Sequence, residues 1–157
     1  MFTIKKSVLG FGLLMLCGVG LEAGAAESQN INTPGSVCNP FNANEATDID
    51  YVSNGVRTIA TSARRVVCGV VRHPVAGPGQ SVFVDGSNSP GKSTLCALSS
   101  FTFQGTFNSA TSFSESSATY DHLAALQSVG RFDYVTLLCN LPANAGGILF
   151  GVTAIDN

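Results

Sequence analysis

The chain has 157 residues, a formal charge of −2, and 11% charged against 45% hydrophobic residues. With eight Lys and Arg in all and no basic run longer than Arg64-Arg65, it lacks the clustered positive face that nucleic-acid binding requires. Its length fits one domain behind a short leader, and a chain of this size buries roughly two-thirds of its unfolded surface, so it needs no partner to fold.

Lys5 and Lys6 precede the apolar run VLGFGLLMLCGVGL, and the small residues Ala23-Gly24-Ala25 follow it. A charged region, an apolar region and an A-x-A site make up a secretory signal peptide. Residues 1–25 are therefore expected to be removed, with Gly24 and Ala26 offering a second frame one residue later. The apolar run is shorter than the roughly 20 residues of a membrane span. Cys17 follows Leu16 rather than the small residue that lipoprotein cleavage needs, and is lost with the leader. Six basic and nine acidic residues then remain.

Four cysteines remain as well, Cys38, Cys68, Cys96 and Cys139. In an exported chain an even number reads as disulfides. Three connectivities are open; Cys38–Cys68 with Cys96–Cys139 is the expected one. A zinc site is the alternative, but spacings of 30, 28 and 43 residues contain no C-x2-C pair.

Residues 26–48, rich in Asn, Ser, Thr and Pro, read as a polar lead-in ordered near Cys38, with Phe41 as an apolar anchor. Residues 49–157 read as one domain of strands and turns. VRTIAT is a short strand after the Ser53-Asn54-Gly55 turn. RRVVCGVVRHPV alternates Val66, Cys68 and Val70 with Val67 and Val71, which suggests a strand buried on both faces. After the Gly77-Pro78-Gly79 break, SVFVD is a strand, GSNSPGK a loop, and TLCALSSFTFQG another strand. Residues 104–118 show no helical period. YDHLAALQSV, Tyr120–Val129, is the one helical candidate, with Asp121 near its start, Leu123 and Leu126 three apart, and Gly130 as a stop. FDYVTLLCNLP and ILFGVTAID close the chain as two strands around an ANAGG turn. Six or more strands with no βαβ rhythm predict an all-β fold, an antiparallel β-sandwich with jelly-roll topology as a candidate and at most one short helix.

Gly86 to Ser93 matches the phosphate-loop pattern G-x4-G-K-S after an apolar strand. That loop needs a helix N-terminus at about Lys92 to add its dipole, yet β-branched and aromatic residues follow. The segment reads instead as a hairpin tip, with Asp85-Gly86 and Pro90-Gly91 as turn formers. Asp121-His122 reads as a helix-cap acid beside a surface histidine, and His73 as a turn residue before Pro74. No G-x-S-x-G elbow occurs. A glycosidase would need two acids meeting from different strands, with Asp85, Asp133 and Asp156 as candidates. Asp48 with Asp50, or Asp85 with Asn88, fits no calcium-loop pattern. Most phenylalanines fall where core is expected, and with no tryptophan aromatic platforms for sugars are few.

The segments VVCGVVR, VFVD, TLCAL, YVTLLCNLP and ILFGVTAID resemble those of a group of small exported bacterial proteins of unknown function. These share a signal peptide, four cysteines, a V-x-C-P strand and a Cys-x-Leu-Pro step before the last strand. The resemblance covers residues 36–157; Gly69 stands where proline is usual and Asp156 where an acidic residue ends the chain. It implies a β-sandwich outside the cytoplasm and no particular activity. The expected function is that of an exported, non-enzymatic binding or structural module of the periplasm or cell surface, monomeric, with an unidentified ligand or protein partner and no cofactor or metal. The alternatives are a small secreted hydrolase built on Asp133 or His122, and a self-assembling surface subunit.

Overall fold

Alternation of buried and exposed residues runs through nearly every element of the protein. The structure, a computed structural model, describes residues 30–72 and 80–155; the expected leader, His73 and Asp156 lie outside them. The strands are β1 (Ile31–Pro34), β2 (Asn39–Pro40), β3 (Ile49–Val52), β4 (Gly55–Thr58), β5 (Arg64–Val70), β6 (Gln80–Asn88), β7 (Thr94–Phe101), β8 (Phe107–Glu115), β9 (Thr119–Leu126), β10 (Tyr134–Leu141) and β11 (Gly147–Ile155). Two 3-10 turns, Gly35–Val37 and Ala43–Asp48, lie between the early strands.

The sheet order follows from one rolled-up hairpin. β4 pairs with β11, β5 with β10, β6 with β9 and β7 with β8, all antiparallel. Rolling this ribbon adds the β6–β11 and β7–β10 ladders and splits the strands into two sheets. One runs β3-β4-β11-β6-β9 with β1 also on β11; the other runs β2-β5-β10-β7-β8. This is jelly-roll connectivity, and the all-β antiparallel sandwich expected from the sequence is the fold observed.

The core between the sheets is aliphatic. Val56, Val66, Val82, Val84, Leu98, Leu137, Leu141, Leu149 and Val152 are at most 1% exposed, and each contributes about 1.5–3 kcal/mol by leaving water. β-Branched valine suits the pleated surface. Cys96 and Cys139 are direct cross-strand partners on β7 and β10, with Cα atoms 4.1 Å apart, the spacing of a close antiparallel pair. Cys38, immediately before β2, bonds Cys68 on β5. Both bridges thus staple neighbouring strands within one sheet, and neither ties the two sheets together.

Several local expectations are corrected. Tyr120–Val129 is no helix: its first seven residues belong to β9, where Tyr120, Ala124 and Leu126 are buried and Leu123 is exposed. Asp121 therefore caps nothing and lies mid-strand. β5 is not buried on both faces: Val66, Cys68 and Val70 are buried, but Arg65 and Gly69 on the other face are exposed and Val67 is only half-buried. The lead-in is built into the fold: β1 lies on β11 and β2 on β5. Phe41 is no core anchor but an exposed ring under the guanidinium of Arg65, 4.3 Å from its centroid.

The phosphate-loop segment is a turn between strands, and no helix follows Lys92. It is not a hairpin tip, because β6 and β7 belong to different sheets. Asp85 and Gly86 lie inside β6 and turn nothing. The turn proper is Ser89–Lys92, closed by the Lys92 N–H on the Ser89 carbonyl at 3.0 Å, with Gly91 at φ +71°, the type II geometry that Pro-Gly favours. Asn88 is buried here: its amide donates to the Glu115 carbonyl at 3.0 Å, and its oxygen accepts from Thr94 at 2.8 Å. The motif residues hold a crossover between the sheets, not a phosphate.

Candidate functional site

None of the described phenylalanines is buried, which overturns their expected place in the core. Phe103, Phe107, Phe132 and Tyr134 are 59–64% exposed and gather at one end of the second sheet. The ladders explain how. Tyr134 opens β10 opposite Phe101, which closes β7, and Phe101 in turn faces Phe107 at the start of β8. Phe101 and Phe107 meet edge to face, centroids 6.0 Å apart. Phe103 extends the row from the β7–β8 turn, and Phe132 from the β9–β10 turn.

Phe103, Phe132 and Tyr134 line an open groove of about 590 Å³ together with Gly69, Thr136 and Arg131, within the usual range of ligand sites. Gly69 and Thr136 are cross-strand partners and form its floor. No heavy atom lies within 4 Å of where a Cβ on Gly69 would sit, so the missing side chain leaves the floor open. β10 is paired on both sides there, so its backbone is already satisfied, and recognition must use ring faces and side-chain polar groups.

The rim is held in place before any ligand arrives. The Ser128 carbonyl accepts from Ser109 Oγ at 2.7 Å, Ser100 Oγ at 3.2 Å and Asn108 Nδ2 at 3.2 Å. Gly130–Asp133 is a β-turn closed by the Asp133 N–H on the Gly130 carbonyl at 3.1 Å. Asp133 Oδ2 accepts from the Gly130 N–H at 2.7 Å and from Asn108 Nδ2 at 2.8 Å. Arg72 donates to the Gly130 carbonyl. Arg131 and Phe132 occupy the two corners of this turn, the guanidinium 5.5 Å from the ring centroid. Fixing the loop in advance lowers the ordering cost of binding.

No protein-family model and no curated protein matches the chain. Among solved structures it is similar to a xylan-binding module, CBM15, at 13% identity and a TM-score of 0.49, covering 82% of this chain and 96% of that one. It is also similar to a carbohydrate-binding module, CBM36, in complex with calcium and xylotriose, at 12% identity and 0.45, covering 81% and 98%. A third is TmCBM61 in complex with β-1,4-galactotriose, at 12% identity and 0.44, covering 84% and 90%. No residue of the groove is carried over from these structures.

The remaining candidates do not converge. His122 is no bare surface histidine: Phe113 stacks on it, centroids 3.9 Å apart and planes 6° from parallel, and Glu115 Oε1 contacts its Nδ1. This pair joins the facing edge strands β8 and β9. Asp133 contacts Asn108, near the other end of β8 from Glu115, roughly 23 Å away at the rise of a strand, so Asp133 and His122 form no common site. Asp85 lies on the outer face of the first sheet beside its cross-strand partner Asp121, on the opposite parity from buried Asn88. Asp50 and Asp48 are engaged by Arg57 and Arg64, each at 2.7 Å. Among the described residues no three His, Cys, Asp or Glu side chains gather as a metal site, and no helix is long and apolar enough to cross a membrane. The sequence signal for the groove was parity: Phe101 and Phe103 share it with Leu95 and Ala97, opposite to the cysteine-bearing face, and that face is the outer one.

Proposed function

We propose that the chain is an exported, non-enzymatic binding module whose ligand is a carbohydrate held in the groove at the Tyr134 end of the second sheet. The observation that carries this reading is the gathering of exposed Phe103, Phe132 and Tyr134 around an open floor, where none of the described phenylalanines is fully buried and only Phe113 packs against the core. Each ring left in water forgoes about 1.5–3 kcal/mol of burial, and a cluster of such rings on a monomer marks an interaction surface. A sugar ring offers an apolar C–H face for stacking and a rim of hydroxyls for Thr136 and the rim side chains. The leader expected at residues 1–25 and the two disulfides support export, since both belong to chains that mature in an oxidising compartment.

The test is affinity electrophoresis of the mature protein in gels containing soluble polysaccharides. Retardation by at least one of them is expected. Tyr134→Ala should weaken it tenfold or more, about 1.4 kcal/mol, with little change in Tm because the ring is exposed. Leu123→Ala, exposed on the other sheet, should leave binding unchanged. Failure of every polysaccharide to retard the protein overturns the carbohydrate reading, and release of new reducing ends from a bound one overturns the non-enzymatic reading.

A further inference from the structure

We infer that the carbohydrate is anionic, a polymer of sugar acids whose carboxylates meet Arg131 while their rings lie on the aromatic groove; this rests on the carbohydrate reading above. The chain has few cations. Of eight Lys and Arg, Lys5 and Lys6 belong to the expected leader, which leaves six. Arg57 is spent on Asp50 and Arg64 on Asp48, each at 2.7 Å. Arg65 lies on Phe41, and Lys92 packs its stem beside Gly146 at the far end of the sandwich. Arg72, bonded to the Gly130 carbonyl, and Arg131, beside the Phe132 ring, both line the groove. A chain of negative net charge thus places a third of its mature cations at the aromatic groove.

The two arginines do different work. Arg72 donates to the Gly130 carbonyl and fixes the turn that carries Phe132. Arg131 stands at the corner of that turn, and among the described residues no carboxylate lies within ion-pair distance of it. Asp133, the acid of the groove, is held by the Gly130 N–H and Asn108, so its negative charge is met by donors within the rim itself. The guanidinium of Arg131 is a planar fork that suits a carboxylate with two parallel hydrogen bonds. A carboxyl group on a sugar ring projects from the ring's edge, whereas stacking uses its face. A ring lying on Tyr134 therefore directs a carboxylate sideways toward the rim, where Arg131 stands beside Phe132.

Polygalacturonate and its fully methyl-esterified form share a backbone and differ in charge, and polyglutamate supplies carboxylates without rings. All three are tested by affinity electrophoresis at low and high salt with the mature protein, R131A, R131K and Y134A, each checked for an unchanged Tm. Binding to polygalacturonate at least tenfold tighter than to the ester is expected, reduced by salt. R131A should bring the two affinities together by weakening the acid at least tenfold more than the ester, R131K should fall between, and Y134A should weaken both. Equal binding of acid and ester, indifferent to R131A, overturns the inference and leaves the carbohydrate reading standing. Binding to polyglutamate as tight as to polygalacturonate overturns it by showing that charge alone suffices. Failure of these and of all neutral polysaccharides overturns the carbohydrate reading too.

Discussion

Asp85 and Asp121 face each other across β6 and β9, and burial first, then the neighbouring charge of Asp121, pushes the Asp85 carboxyl above the usual aspartate range. A folded value above the unfolded one, about 3.9, means that the native state binds the proton more tightly. The resulting stabilisation is fully present below the unfolded value and is lost as pH rises through the folded one. Asp85→Asn should therefore gain stability relative to the natural protein as pH climbs from about 3.5, with the gap levelling off once Asp85 is ionised. Thermal melts across that range check it, and a gap independent of pH would contradict the assignment. At this scale the sequence was partly legible. The cysteines announced themselves by number, and the connectivity expected for them is the one the structure adopts. The aromatic groove was not read, because a phenylalanine on the outer face of a strand has the same spacing as one on the inner face. Only the position of Cys96 and Leu98 on the opposite parity of β7 marked which face was which.

The element least legible in the sequence was β9. Leu123 and Leu126 are three apart and Gly130 follows, as in a short helix, yet Tyr120, Ala124 and Leu126 also keep the even parity that a strand buries. A stretch this short satisfies both periods, and the partner strand decides between them. Here β6 offers eight residues of register to β9. Their fit depends on Gly86, the glycine that also begins the phosphate-loop pattern. A Cβ there would come within 2.2 Å of the Tyr120 hydroxyl and 2.5 Å of the Ile148 carbonyl. Gly86→Ala should thus cost about 1–3 kcal/mol, the usual penalty of overpacking, and lower the denaturant midpoint without changing the slope. A neutral substitution would mean that Tyr120 does not pack across this glycine.

Across the whole molecule, the two disulfides close loops of 30 and 43 residues, for which loop entropy gives about 3.6 and 4.0 kcal/mol. They should differ in what their loss exposes. Cys38 anchors the segment leading into β2, so C38S/C68S should raise hydrogen exchange chiefly over residues 31–52. Cys96 and Cys139 join strands already paired along their length, so C96S/C139S should lower global stability without a local opening. Uniform exchange in C38S/C68S would show that the early strands unfold only with the rest. The all-β class was legible in the sequence because short alternating runs between turn signals leave few other solutions. The order of strands was not, because it arises from pairing residues nearly a hundred positions apart, as between β4 and β11. One such long-range pair has a practical side. Ile31 stands opposite Ala154 in the β1–β11 ladder, so the two ends of the described fold are about one strand spacing apart, roughly 5 Å. A short linker could join them, and the chain could be reopened in the Ser89–Lys92 turn, about 23 Å along β7 from Phe101. The circular permutant would keep every ladder, begin at β7 and end at β6, and carry both of its new termini at the end of the sandwich remote from the groove.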